Sequence, residues 1–272
     1  MKADRNITWN GHRLAYTEVG DGPPLLLLHG WGASSRFWWE SMRDLDDTFR
    51  CIALDWLGYG ASGRPREPVG LAGHADAVGT VLQELAIEGA TVVGHSMGGT
   101  IAAMAAAAGA PIGRLVLVAP MVRAGDGLNP RSRRLLWPGV RHLVRPLIGM
   151  RPFARWVAAN STFELPIPEL FITGAMQADR TVLMDDAVAL GTVDLTPLLP
   201  QIRQPTLLMT GRNDAVLRPA PLEAAHHLLP DAKLVRFPRC GHCPPLEHPA
   251  RFAEVVAQFA AGDWPEGCVA TR

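Results

Sequence analysis

The sequence predicts an α/β fold: a mostly parallel, eight-stranded sheet flanked by helices and interrupted once by a helical insertion. Three observations predict it. Short unbroken apolar runs recur at residues 25–28, 51–54, 90–93, 115–118, 206–209 and 233–237, as expected of strands buried on both faces. Helical patterns lie between them, near 71–88, 97–108, 219–229 and 249–260, which is the arrangement parallel strands need for their crossovers. Residues 121–196 separate two of these strands by far more than a βα connection requires.

Taken in order, Ile7-Thr8-Trp9 and His12–Val19 read as an antiparallel entry hairpin around the turn pair Asn10-Gly11. Six buried strands follow and complete eight. The long segment carries Pro138, Pro146 and Pro152, which should divide it into short helices. Its charge is uneven, because 121–166 holds eight arginines against Asp126 and Glu164 (net +6), whereas 167–196 holds five acids against Arg180. We expect residues 1–120 and 197–272 to form one core and 121–196 to cap it, walling a pocket at the strand C-terminal ends.

Composition restricts the function. With 48% hydrophobic and 19% charged residues the 272-residue chain reads as a soluble globular protein, and 26 basic against 26 acidic side chains give no global attraction to nucleic acid. The first residues carry no apolar leader, and no stretch is apolar enough to span a bilayer. A cytoplasmic protein is expected, with Cys51, Cys240, Cys243 and Cys268 reduced.

The sharpest local signal is Gly94-His95-Ser96-Met97-Gly98. It lies between an apolar strand and the strong helix former that starts at Met97, the context of a strand–turn–helix nucleophile elbow. A tight turn projects the serine hydroxyl above the strand, and glycines on either side let strand and helix approach. A serine needs a base, and the base an orienting acid. Asp214 follows the 206–209 strand and His242 follows the 233–237 strand, so Ser96, Asp214 and His242 occur in workable order at strand ends. Asp126, shortly after the 115–118 strand, is the competing acid. Leu28-His29-Gly30-Trp31-Gly32 supplies a glycine-rich strand end, where the backbone N–H groups of Trp31 and Met97 would hold a developing oxyanion. His29 reads as tying down that loop. Trp38, Trp137 and Trp156 are candidate pocket residues, and His226-His227 are expected on a helix surface.

Together with Asp55-Trp-Leu-Gly-Tyr-Gly-Ala-Ser62, Gly211-Arg-Asn-Asp214 and Gly241-His-Cys-Pro-Pro-Leu-Glu-His-Pro249, these motifs make the whole chain resemble the α/β-hydrolase fold family, in its serine esterase, lipase and thioesterase-like branch with a helical cap. Trp56-Leu57 departs from the Leu-Pro type pair of many relatives. The resemblance implies a serine hydrolase that cleaves a carboxylic ester or thioester through an acyl-enzyme on Ser96, without cofactor or metal. Carbon–carbon bond hydrolases and lyases of the same fold keep Ser and His and remain alternatives, as does a non-catalytic ligand-binding relative. The cap arginines would suit a carrier protein, a coenzyme A phosphate or a membrane surface, beside the plainer reading of a solvated basic face. Cys240-Gly-His-Cys243 looks like a disulfide-isomerase motif but lacks the thioredoxin-like context that chemistry needs.

Overall fold

The computed structural model describes residues 5–270, apart from 129–132, 135–139, 141–142, 160 and 167–168. The entry hairpin pairs β1 (Arg5–Trp9) with β2 (His12–Val19), and the turn places Asn10 and Gly11 at φ +46° and +77°. Such a turn matches the twist of the strands it joins. The parallel body comprises β3 (Pro24–Leu28), β4 (Arg50–Leu54), β5 (Thr91–His95), β6 (Arg114–Val118), β7 (Thr206–Gly211) and β8 (Ala232–Phe237). A two-residue antiparallel strand, β9 (Val269–Ala270), is added beside β8, beyond the eight the sequence pattern suggests. Two residues are too few to leave a period-2 signal. The order across the sheet is β1-β2-β4-β3-β5-β6-β7-β8-β9.

The chain adds β4 on one side of β3 and then crosses to add β5 on the other, so the C-terminal ends of parallel β3 and β5 open a crevice where ligands of open α/β sheets bind. Leu28 leads from one into the glycine-rich loop, and His95 leads from the other into Ser96.

Alternating side chains sort the apolar runs into two cores. Leu26, Leu28, Val92, Leu115 and Leu117 face α2 (Gly70–Glu84) and α3 (Met97–Ala107). Leu25, Leu27, Val93, Val116 and Val118 face α1 (Trp39–Leu45) and the C-terminal helix (Pro249–Ala260). Burial on both faces is what removes the polar alternation from these strands.

Between β6 and β7 lie α4 (Ala124–Gly127), α5 (Arg151–Ala158), α6 (Glu169–Gln177) and α7 (Arg180–Leu190). Pro152 occupies the first turn of α5, where its missing N–H has no helical partner to lose, so it starts that helix instead of breaking one. Asp179 caps α7, accepting from Thr181 N at 2.8 Å and Val182 N at 3.2 Å. That end of α7 rests on the core: Asp179 N–H donates to Gly58 O at 2.7 Å, and a Cβ at Gly58 would fall 2.7 Å from Val182. After β7 come α8 (Pro219–His226) and α9 (Pro244–Glu247), and the C-terminal helix is α10. His226 is buried, contrary to the expected surface position. Its ring turns inward to Ala232 O at 3.1 Å, and burial lowers its pKa.

Candidate functional site

Ser96 occupies the turn between β5 and α3 at φ +53°, ψ −117°, a conformation that costs a non-glycine residue about 1–3 kcal/mol. The turn survives because its flanks have no side chains. A Cβ on Gly94 would lie 2.4 Å from Gly98 O, and one on Gly98 would lie 2.2 Å from Leu28 O. Ser96 N–H donates to Val118 O at 2.8 Å, which fixes the turn over the neighbouring strand. Ser96 is the one partly exposed residue of the 91–100 run.

Asp214 and His242 come together from adjacent strand ends. His242 Nδ1 lies 2.7 Å from Asp214 Oδ2, with both side chains nearly inaccessible. The second carboxylate oxygen, Oδ1, accepts from Val216 N and Leu217 N, each at 2.8 Å. The carboxylate is therefore held on one side by backbone and turned to the imidazole on the other. Asp126, the competing acid, is half-exposed and forms an ion pair with Arg123.

Two residues that motif reading did not single out hold the His242 loop. His95 Nε2–H donates to His242 O at 2.9 Å from a buried ring stacked on Phe37, and burial lowers its pKa strongly. Glu247 accepts from Gly241 N at 2.9 Å, Cys243 N at 3.2 Å and Phe163 N at 2.7 Å. His95 is visible in the sequence only as the variable position of the elbow, and Glu247 only as one residue of the Gly241–Pro249 motif. Cys240 and Cys243 are buried free thiols whose pKa values burial and Glu247 push up, which keeps them protonated and poorly reactive.

The Gly30–Trp31 peptide lies beside the serine, since a Cβ on Gly30 would be 3.1 Å from Ser96 Cβ. His29 orients that peptide. Its Nδ1–H donates to Gly30 O at 2.8 Å while Nε2 accepts from Trp56 N–H at 3.3 Å, a pattern that requires the neutral ring. Peptide planarity then fixes the Trp31 N–H on the opposite side. Neither that N–H nor the Met97 N–H opening α3 is bonded to another described residue. The Trp31 indole donates to Leu183 O of α7 at 2.8 Å. The same helix carries the buried Asp186, which accepts from Tyr59 OH at 2.8 Å and lies 3.6 Å from His74. Periodicity alone could not find this carboxylate, because it occupies the core-facing side of its helix.

Burial, partly offset by Asp55, lowers the His29 pKa to about 4 from its ordinary 6.5. The unfolded chain takes up this proton at the higher pH. Stability from neutral His29 is therefore complete above about pH 6.5 and is lost as pH falls toward 4, by on the order of 3 kcal/mol. Urea midpoints measured across that window should fall, and His29→Asn should flatten the slope. An unchanged slope in the variant would remove His29 from the account.

Ser96 and His242 line one cavity of about 700 Å³ with Trp31, Phe153, Trp156 and Leu217. Arg134 is its sole Lys or Arg side chain, and no carboxylate lines it, among the described residues. Trp38 does not belong to it. That ring is fully buried in the second core against Phe37 and Phe252, because the short helical turn at Ser35–Trp38 directs it away from the crevice. Trp137 lies outside the described residues. No cluster able to hold a metal ion occurs among the described residues, and no described helix is long and apolar enough to cross a membrane.

A strained serine at a strand-to-helix turn shares one cavity with the histidine of a buried Asp–His pair, at the strand C-terminal ends of a mostly parallel sheet. The chain belongs to the alpha/beta hydrolase family, whose model matches residues 25–255. It is 30% identical over 273 residues to the AB hydrolase superfamily protein YisY of Bacillus subtilis (strain 168), covering 96% of this chain and 98% of that protein. It is 31% identical over 254 residues to the pimeloyl-[acyl-carrier protein] methyl ester esterase of Nitrosomonas europaea, covering 86% of this chain and 94% of that one. Among solved structures, a thermophilic esterase from Thermogutta terrifontis superposes with a TM-score of 0.82 at 25% identity, covering 94% of this chain and 98% of that one.

Proposed function

We propose that the protein is a serine hydrolase cleaving a carboxylic ester or thioester through an acyl-enzyme on Ser96. The observation that carries this reading is the 2.7 Å Asp214–His242 bond opening, with Ser96, onto a single apolar cavity. In the proposed cycle His242 takes the proton of Ser96 as the hydroxyl attacks the ester carbonyl, and Asp214 keeps Nδ1 protonated so that Nε2 is free to do so. The Trp31 and Met97 N–H groups receive the oxyanion, each worth roughly 2.7–4 kcal/mol in comparable sites. His242 returns the proton to the departing alcohol or thiol. Water, activated by the same imidazole, then releases the acid. No cofactor enters this scheme.

Residues 121–196 act as the cap in this reading, supplying Phe153, Trp156 and Met184 to the cavity wall. An apolar cavity without carboxylates favours neutral or anionic acyl and aryl groups over cationic ones. The esterase relatives support an ester over carbon–carbon cleavage, and the four free cysteines support a reducing, cytoplasmic setting. The test pairs a fluorophosphonate label with a substrate panel. Labelling of Ser96 and turnover of p-nitrophenyl esters or acyl-thioesters, ahead of a β-diketone, is the expected result. Faster cleavage of the diketone would move the protein to the carbon–carbon hydrolases, and absence of labelling would make it a binding protein.

A further inference from the structure

The segment that walls the cavity from inside is apolar on its outside as well. Nine large apolar side chains are exposed among the described residues, and six of them fall between 143 and 165: Leu143, Leu147, Met150, Trp156, Phe163 and Leu165. That concentration on one short stretch of chain sets it apart from the scattered apolar exposure of ordinary surfaces. Several of the six are chain neighbours of cavity-lining residues. Leu143 precedes Val144, and Leu147 and Met150 flank Ile148 and Gly149, all three of which line the cavity. Trp156 does both, lining the cavity while 46% exposed.

Three of the four exposed charged side chains described in this stretch are cations. Arg145, Arg151 and Arg155 are exposed between the apolar side chains. Arg151 pairs with Glu169, and the acid within the stretch, Glu164, bonds to Arg239 outside it. Across 121–166 the sequence holds eight arginines against Asp126 and Glu164.

We propose that the exposed apolar side chains between Leu143 and Leu165, with Arg145, Arg151 and Arg155 among them, dock on an anionic lipid surface, the apolar groups entering the interface and the arginines lying on the headgroups. Tryptophan, phenylalanine and leucine interspersed with arginine is the composition that lies in such an interface. Arginine stems add apolar contact while the guanidinium stays with phosphate. A second copy fits less well, because a two-fold contact would set this basic patch against itself. A recognised protein partner would need directional hydrogen bonds, and the exposed described residues here offer few beyond guanidinium groups, with Pro146, Pro152 and Pro166 contributing no backbone donors. On the proposed hydrolase reading, docking would bring Trp156 and the cavity it lines to the lipid surface, the source of an amphiphilic ester.

Docking is measurable without any substrate, so it stands or falls apart from the hydrolase reading. The full chain is sedimented with phosphatidylcholine vesicles that contain or lack phosphatidylglycerol, at low and high salt. Wild type should partition at least about tenfold more strongly onto the anionic vesicles, and salt should weaken it. Leu143→Ser/Leu147→Ser and Arg145→Glu/Arg155→Glu should each lose at least about tenfold of that binding while hydrolysing a short soluble ester at the wild-type rate. Wild type remaining in the supernatant would overturn the proposal. So would undiminished binding by the serine pair, which would leave charge attraction without insertion. A concentration-dependent dimer in analytical ultracentrifugation, abolished by the serine pair, would assign the face to a second copy instead.

Discussion

Ser96→Ala is expected to lower ester turnover by on the order of 10⁴–10⁶ and to abolish fluorophosphonate labelling, with the fold retained. The magnitude follows from what one oxygen does in the proposed cycle. Without it no acyl-enzyme forms, and His242 and the two N–H groups are left to assist direct attack by water. Stability should change little, since no hydrogen bond of the Ser96 hydroxyl to a described residue supports the turn, and alanine meets the same steric resistance at φ +53°. Ser96→Gly separates chemistry from strain. It should be as inactive as the alanine variant yet more stable than it by about 1 kcal/mol, because glycine adopts this conformation freely. Urea denaturation of both variants beside active-site titration of wild type measures the two effects. Wild-type turnover in Ser96→Ala would remove the serine from the mechanism, whereas equal stability of the two variants would remove only the strain.

The elbow was legible because its requirements are local. Two glycines, a preceding apolar strand and a following helix are all contiguous in sequence, and the sub-2.5 Å approaches at Gly94 and Gly98 are what those glycines permit. The Asp214–His242 contact was legible for another reason: in a parallel sheet, residues just past consecutive strands arrive at the same edge. The fate of the tryptophans was not. Trp31 and Trp38 stand seven residues apart after the same strand, yet one lines the cavity and the other fills the core. That difference depends on a short helical turn whose direction no hydrophobic pattern encodes. His95 and Asp186 were hidden likewise, since each acts through a backbone atom or side chain that is distant in sequence, and Glu247 reaches Phe163 N–H as well as the N–H groups of its own loop.

Asp214→Asn is expected to lower kcat by on the order of 10⁴, whereas Asp126→Asn should leave it within a small factor of wild type. The difference rests on how the carboxylate is held. Val216 and Leu217 present two N–H donors to Oδ1, so an asparagine there keeps its carbonyl oxygen on the backbone and turns its NH₂ toward His242. Nδ1 must then accept that hydrogen bond, and the ring carries its proton on Nε2. This is the wrong tautomer to take a proton from Ser96. The imidazole is thus held in place and disabled as a base, which a general loss of structure would not produce. Asp126 meets none of these conditions: it is half-exposed, paired with Arg123 and makes no bond to His242. Single-turnover kinetics on both variants, with active sites counted by titration, distinguishes the two acids. A loss of that size in Asp126→Asn, with Asp214→Asn unaffected, would transfer the orienting role to Asp126.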